Sequence, residues 1–265
     1  MTPSAPLPTS QTTEASESPL IRIRSLRKSF GKKEVLRDIS FEVPKGGIVS
    51  ILGRSGTGKS VLLRCVVGLH QPDQGEILYA GKNVAEPAHR EALRRASSYV
   101  FQQNALFDSA TVLENMLLPL QCRADLAPAE QLRKAQELLS HMELEEASGR
   151  FPAQLSGGMQ KRLAVARALI TDPEIVFFDE PTAGLDPIRR NAVFEMIVRL
   201  QRERGFTAVV VTHDVQESLI VSSRIVWLDE GYVAFSGTAR EFESDPNLKF
   251  SQFRDNLEAL RQSLR

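Results

Sequence analysis

Two runs in this chain carry the residue types that hold phosphate and activate water. Gly53-Arg54-Ser55-Gly56-Thr57-Gly58-Lys59-Ser60 fits the P-loop pattern G-x-x-x-x-G-K-[ST]. Its glycines let backbone N–H groups point inward at phosphate oxygens, and a helix starting just after it adds roughly half a positive charge. Lys59 would reach the β- and γ-phosphates, and the Ser60 hydroxyl would ligate Mg2+. Farther along, Ile175-Val176-Phe177-Phe178 is an apolar run ending in Asp179 and Glu180. In open α/β sheets, ligands bind outside the carboxyl ends of the strands, which is where this run delivers both acids. Asp179 is placed to hold Mg2+ through water, and Glu180 to polarise an attacking water as general base. The bland alternative is a solvated Asp-Glu loop; the apolar run before the pair and Pro181-Thr182 after it argue for a strand exit. Between the two runs lies Leu155-Ser156-Gly157-Gly158-Met159-Gln160, where small residues and exposed amides at a helix start repeat the anion-binding logic. On composition alone, Ser156 is an ordinary N-cap. The chain binds a nucleotide.

These residues need a sheet and helices to hold them. Ile48-Val49-Ser50-Ile51-Leu52 is an apolar run suited to a buried parallel strand; it feeds into Gly53, and a helix follows over 60–67. That strand–glycine loop–helix order is the context a P-loop requires. Alternation predicts earlier strands at Ile21-Arg22-Ile23 and at 39–43, and a short one at 74–79. From about 105 to 150 the pattern turns helical with charged faces, as over 129–144. A helix is expected over 159–170, ended by Asp172-Pro173, and another over 191–204. Strands are expected at 175–178, 208–211, 224–228 and 232–235. Strands alternating with helices argue for an α/β fold with a largely parallel sheet. No internal repeat is visible, so one such unit is present.

Bulk properties narrow the class. A chain of 265 residues can bury a full α/β core. Lys+Arg and Asp+Glu both number 33, so nothing in the charge balance suggests a nucleic-acid surface. The two cysteines, Cys65 and Cys122, are too few for a disulfide framework and read as reduced thiols of a cytosolic protein. No apolar run approaches the roughly 18 residues needed to span a bilayer. Residues 1–19 are rich in Pro, Ser and Thr, lack a signal-peptide pattern, and read as a disordered lead. Any membrane role must come through a partner.

The three motifs together resemble the ATP-binding cassette (ABC) ATPases. The resemblance covers about residues 20–240, with a helical subdomain at about 105–165 and a C-terminal helical extension over 241–265. It implies a P-loop ABC-ATPase fold: a largely parallel sheet core, an antiparallel β portion and a helical subdomain. It implies ATP and Mg2+ as ligands, with Gly53, Arg54, Ser55, Gly56, Thr57, Gly58, Lys59, Ser60 and Val61 around the nucleotide. It further implies that Ser156, Gly157 and Gly158 face the ATP held by a second subunit's P-loop. Asp186, in Ala183-Gly184-Leu185-Asp186, resembles the D-loop that helps set that contact. Two active sites would then be shared across a head-to-tail dimer. His213 resembles the switch histidine at the γ-phosphate; His70, His89 and His141 receive no role. Gln102 resembles the Q-loop glutamine that contacts Mg2+ and water. Gln103 beside it leaves a one-residue ambiguity, and Gln102 is preferred because it directly follows Tyr99-Val100-Phe101. Phe30 matches the aromatic that stacks on adenine, against the alternative of a core phenylalanine.

Within the family, three readings compete: a transporter ATPase with separate permease chains, a soluble ATPase acting on DNA or ribosomes, and a non-hydrolysing cassette. No zinc motif, coiled-coil insertion or paired cassette is visible, and Lys59, Ser156 and Glu180 are intact, which favours the transporter. Gly53 to Leu63, Gly157 to Ala164 and Ala105 to Asn115 are most similar to the ATPases of Mla/Mce-type phospholipid transport systems. That likeness implies a Mce-type substrate-binding component, no nucleic acid, and a place at the cytoplasmic face of the inner membrane, held there by the permease. Amino acid and methionine importers are the alternative. The apolar residues Leu106, Phe107, Val112, Met116 and Leu117 are expected to help form the permease socket, or else to fill their own lobe. At the C-terminus, Phe242, Phe250, Phe253, Leu257, Leu260 and Leu264 form an apolar pattern that would cover either this chain or a second copy.

Overall fold

A computed structural model of the chain describes residues 18–121 and 126–245. Cys122 and the apolar positions from Phe250 onward lie outside the described residues, as does most of the N-terminal lead. The elements run β1 (Ile21–Phe30), β2 (Lys33–Val43), β3 (Ile48–Gly53), α1 (Lys59–Val66), β4 (Gln74–Tyr79), β5 (Lys82–Asn83), α2 (Pro87–Ala96) and β6 (Ser97–Val100). Then follow α3 (Val112–Leu117), α4 (Pro128–His141), α5 (Gly157–Leu169), β7 (Ile175–Asp179), α6 (Pro187–Arg204), β8 (Thr207–Val211), α7 (Val215–Val221), β9 (Arg224–Asp229), β10 (Tyr232–Gly237) and α8 (Ala239–Ser244).

The strands form one mixed sheet of 10 in the order β5-β4-β1-β2-β10-β9-β3-β8-β7-β6. From β9 to β6 all pairs are parallel, while β5, β4, β1 and β2 pair antiparallel and β10 runs antiparallel to β9. This is the mixed α/β arrangement expected, with the parallel half carrying the chemistry. The central strands are buried on both faces, and the period of two splits each strand between two cores. Ile175, Phe177, Val209 and Val211 face the core that includes α1. Val176, Phe178, Ala208 and Val210 face the core that includes α3 to α6.

Several boundaries differ from those read from sequence. Helix α5 begins at Gly157 rather than 159, because Ser156 caps it by accepting the Met159 N–H. Helix α6 begins at Pro187 rather than 191: Asp186 accepts the Arg189 N–H, and Pro187 at the first helical position gives up no bond it could have made. β1 and β2 are longer than the alternating stretches suggested because irregular pairing interrupts the alternation, with Ser25 at φ 45. α2 and α7 go beyond the elements expected, and α8 overlaps the start of the helical extension expected from 241. Cys65 is buried, and burial pushes its thiol up to about 11, so it is an inert core side chain.

Phe242, grouped by sequence with the C-terminal stripe, fills a small core of the cassette. It lies on α8 with its ring centroid 5.2 Å from Phe235 and 6.1 Å from Trp227. Thr238 and Glu241 hold the start of α8 in a reciprocal capping box. Replacing Phe242 by Ala is expected to destabilise the chain by about 3 kcal/mol, as for other buried phenylalanines. Chemical denaturation would read this as a lower midpoint, and an unchanged midpoint would remove Phe242 from the core.

Candidate functional site

The site stands at the carboxyl ends of β3 and β7, where the chain leaves the sheet with no strand left to pair its polar groups. At the end of β3, Gly53 has φ +154, and a Cβ there would sit 2.4 Å from the Leu228 carbonyl oxygen. At Gly58, φ is +97 and a Cβ would meet Leu36 and Val35 at 2.9 Å. Only glycine lets the loop pass both points and open into α1, whose first N–H groups are then free for an anion. Lys59 is buried and donates from Nζ to the Gly53 carbonyl at 2.8 Å and the Arg54 carbonyl at 3.1 Å. Burial pulls its ammonium below the usual lysine range, while Glu180 and Asp179 act in the opposite sense.

β7 delivers the two carboxylates into different environments. Asp179 is buried; its Oδ1 accepts from Ser60 Oγ at 2.7 Å and its Oδ2 from the Tyr99 hydroxyl at 2.8 Å. Glu180 leaves the strand in the left-handed region at φ 49, anchored by its N–H to the Val211 carbonyl at 2.8 Å. Such a conformation costs a non-glycine residue about 1–3 kcal/mol and persists only where the surroundings fix it. It turns the Glu180 side chain out of the sheet, with Oε2 2.8 Å from His213 Nδ1 and Oε1 3.7 Å from Lys59 Nζ. His213 follows β8, with its Nε2 3.9 Å from Oδ1 of Asp214. That buried carboxylate accepts from Thr182 and Thr212 and pairs with Arg190 at 3.0 Å.

One cavity of about 440 Å3 gathers these pieces. Ser55, Gly56, Gly58, Lys59, Ser60 and Val61 line it together with Gln102, Glu180 and His213. Gln102, and not Gln103, is among the lining residues. Gly53, Arg54 and Thr57 complete the loop, and Thr57 Oγ1 donates to the Arg54 carbonyl at 2.9 Å. Asp179 lies behind Ser60. Phe30 lies on the β1–β2 hairpin whose Lys33 and Val35 line the cavity, but it is not itself in the lining. It is 45% exposed, so it is no core residue, and its ring meets the edge of His70 at 5.5 Å. That gives His70 a contact the sequence did not suggest.

The remaining candidates lie elsewhere. Ser156 and Gly158 open onto a separate cavity of about 600 Å3 with Lys161, Arg162, Leu185 and Arg189. Asp186 caps α6 beside it. Lys161 is only 9% exposed, has no ionic or hydrogen-bonding partner among the described residues, and burial pulls its ammonium down. Of the proposed socket residues, Val112 and Met116 are fully buried in their own lobe. Phe107 is 55% exposed, with the Arg167 guanidinium 5.7 Å from its ring centroid. Arg167 also lines a groove of about 850 Å3 between α2 and α5, shared with Arg94, Ser98, Tyr99 and Pro119.

The donor set fits ATP with Mg2+. The glycine loop is a phosphate cradle that a Cβ would disrupt. Ser60 and Asp179 present hard oxygen donors beside it, which suits a cation that takes few protein ligands and completes its shell with phosphate and water. No cluster of three or more His, Cys, Asp or Glu metal donors exists among the described residues, which argues against an all-protein cage. Sequence reasoning missed Lys33, Val35, Tyr99 and Asp214. Only Asp214 left a signal, as the acid following a strand-exit His.

Comparisons with known proteins agree on one family. The model of the family described as ABC transporter matches residues 36–183. A sulfate/thiosulfate import ATP-binding protein of Synechocystis is 39% identical over 230 residues, covering 87% of this chain but 64% of that protein. The chain thus spans less than two thirds of that relative's length. The glutamine transport ATP-binding protein of Escherichia coli is 39% identical over 230 residues, covering 86% of this chain and 95% of that protein. Among solved structures, the dimeric post-hydrolysis ATP-binding cassette MJ0796 bound to ADP and Pi superposes with a TM-score of 0.73 at 33% identity. It covers 83% of this chain and 99% of that one.

Proposed function

This chain belongs to the ABC transporter family, and from that premise we propose that it is the ATP-hydrolysing subunit of a membrane importer. The observation that carries the reading is the single cavity in which a phosphate loop, a strand-exit glutamate, a glutamine and a histidine from four separate segments meet. In the proposed reaction the loop amides and Lys59 hold the ATP phosphates, Lys59 exchanging its bonds to the Gly53 and Arg54 carbonyls for phosphate oxygens. Ser60 and Asp179 would hold Mg2+ beside the phosphates, with Gln102 at the same edge, and a cation there would supply positive charge against the phosphate oxygens. Glu180 takes the proton of the attacking water, the water oxygen bonds to the γ-phosphorus, and the bond to the β–γ bridging oxygen breaks, releasing ADP. His213 fixes the Glu180 carboxylate through Oε2 and reaches toward the γ-phosphate. The partners are a second copy of this chain and a permease, which would keep the chain at the cytoplasmic face of the membrane. No helix of the described residues is long and apolar enough to cross a bilayer.

The cargo reading shifts from the sequence expectation. The relatives named above carry sulfate/thiosulfate import and glutamine transport in their names; the match over 95% of the glutamine protein supports a small polar solute, an amino acid above all. Phospholipid transport with a Mce-type component, the cargo expected from residues 53–63, 105–115 and 157–164, is carried in the name of neither relative and becomes the second reading. Purifying tagged chain from its native membranes is expected to bring a polar-solute permease. A lipid permease would move the reading to the second cargo, and ATPase activity with no permease would overturn transport. Phe107→Glu, at the exposed edge of the expected socket, should lower permease recovery and uncouple transport while the isolated chain hydrolyses ATP normally. Cross-links from the permease only to the P-loop lobe would refute that placement.

A further inference from the structure

Tyr99 is half-buried and carries a hydroxyl whose task neither the motifs nor the proposed reaction accounts for. It stands on β6, in parallel register with Phe177, two residues before Asp179 on the neighbouring strand. Its ring packs among the apolar residues around α1 and lies 4.4 Å from the Phe101 ring, centroid to centroid. The position is therefore stiff, and the hydroxyl has a fixed address: Oδ2 of Asp179, at 2.8 Å.

That address matters because of what the other oxygen does. Ser60 Oγ donates to Oδ1 at 2.7 Å, and a serine that lends a lone pair to a cation can keep that proton on the carboxylate. One bond alone leaves the carboxylate free to turn, since the terminal torsion of aspartate is broad and roughly two-fold. Two donors, one on each oxygen, fix its plane.

We propose that Tyr99 is a positioning residue that locks the plane of the Asp179 carboxylate and so sets the Mg2+ affinity of the nucleotide site. The inference rests on the reading of that site as an ATP–Mg2+ site. Tyr99 is also among the residues that line the groove shared by Arg94, Pro119 and Arg167.

The test is Tyr99→Phe, which removes the oxygen and keeps the ring. Mn2+ binding to the ATP-loaded chain, followed by electron paramagnetic resonance, should weaken about 10-fold or more, the usual effect of losing a partner behind a metal ligand. ATP affinity measured in chelator should stay at the wild-type value, and turnover should recover when Mg2+ is raised. Tyr99→His, which restores a donor on a shorter ring, should recover part of the cation affinity and guards against a fold defect in the phenylalanine variant. Wild-type cation affinity in Tyr99→Phe overturns the proposal. So does an equal loss of ATP affinity in chelator, which would make Tyr99 a packing residue only. A wild-type chain that neither binds nor hydrolyses ATP with Mg2+ would instead fail the underlying reading, and the two failures are distinguishable.

Discussion

Replacing Glu180 by Gln is expected to lower ATP turnover by about 10² to 10⁴, the usual worth of a positioned general base, while ATP binding survives. The substitution keeps the size of the side chain and one oxygen acceptor but removes the group that takes the proton of the attacking water. Its position favours a specific defect rather than collapse. Glu180 is fixed by its backbone bond to Val211 and by its φ of 49, and neither depends on the carboxylate. The carboxylate lies 2.8 Å from His213 Nδ1 and 3.7 Å from Lys59 Nζ. The amide gives up the Coulomb attraction to Lys59, which leaves that ammonium freer for phosphate, so ATP affinity should hold or rise. An ATP-bound dimer should therefore accumulate, visible by size exclusion with nucleotide present. Near-normal turnover in the variant, assayed with its permease, would remove Glu180 from the base role.

Much of this site was legible because its elements are continuous in sequence. β3, β7 and β8 are apolar on both faces, and such runs announce buried parallel strands without any alternation to decode. The P-loop is a local motif, and its glycines meet steric demands set by residues that lie next to it in space, Leu228 and Val35 among them. The helix starts were also available: Asp186-Pro187 is a capping residue followed by a first-position proline, yet a loop motif read across the same residues hid the signal. Ser156 was recognised as a cap, but two glycines after it lowered the helical signal below notice.

What sequence could not give is contact across strands. β6 is Ser97-Ser98-Tyr99-Val100, short and polar, and its place beside β7 comes only from pairing. Nothing local marks Tyr99 as a partner of Asp179. The left-handed turn at Glu180 also has no sequence signature, because glutamate has no preference for that region and the surrounding sheet imposes it. Phe242 fits the first of the two alternatives left open for the C-terminal pattern, cover of this chain. Its spacing matched a helical stripe farther along the chain, while a capping box and two aromatic neighbours tie it to the cassette.

The second large effect is expected at Ser156, and its interest lies in where the loss shows. Within one chain, Ser156 and Gly158 line a different cavity from Lys59 and Glu180, so Ser156 does not line the nucleotide cavity of its own chain. A phosphate brought by a second copy would enter that second cavity, whose lining also carries Glu195 and Glu143, the latter paired with Arg162 at 2.9 Å. The start of α5 faces it, Lys161 is buried there without an ionic partner among the described residues, and Arg162 and Arg189 stand beside it. The Lys161 ammonium is partly desolvated, and an anion brought by a second copy would offset that cost. Ser156→Arg fills the space that phosphate would take, and turnover should fall by at least about 10², the scale of losing an electrostatic donor to the reacting group. Nucleotide affinity of the monomer should stay unchanged if the contact is made in trans. Lys59→Ala should behave in the reverse order. Removing an ammonium that touches phosphate within its own chain should weaken monomer ATP binding by roughly 10- to 100-fold. Mixing the two variants then separates the models. A heterodimer of Ser156→Arg with Lys59→Ala keeps one site with both an intact loop and an intact opposing signature, and should regain part of the wild-type turnover. Fluorescent-nucleotide titration of each monomer and a turnover assay of the mixture measure all three quantities. Equal loss of monomer affinity in both variants, with no recovery on mixing, would show that each chain carries a complete site by itself.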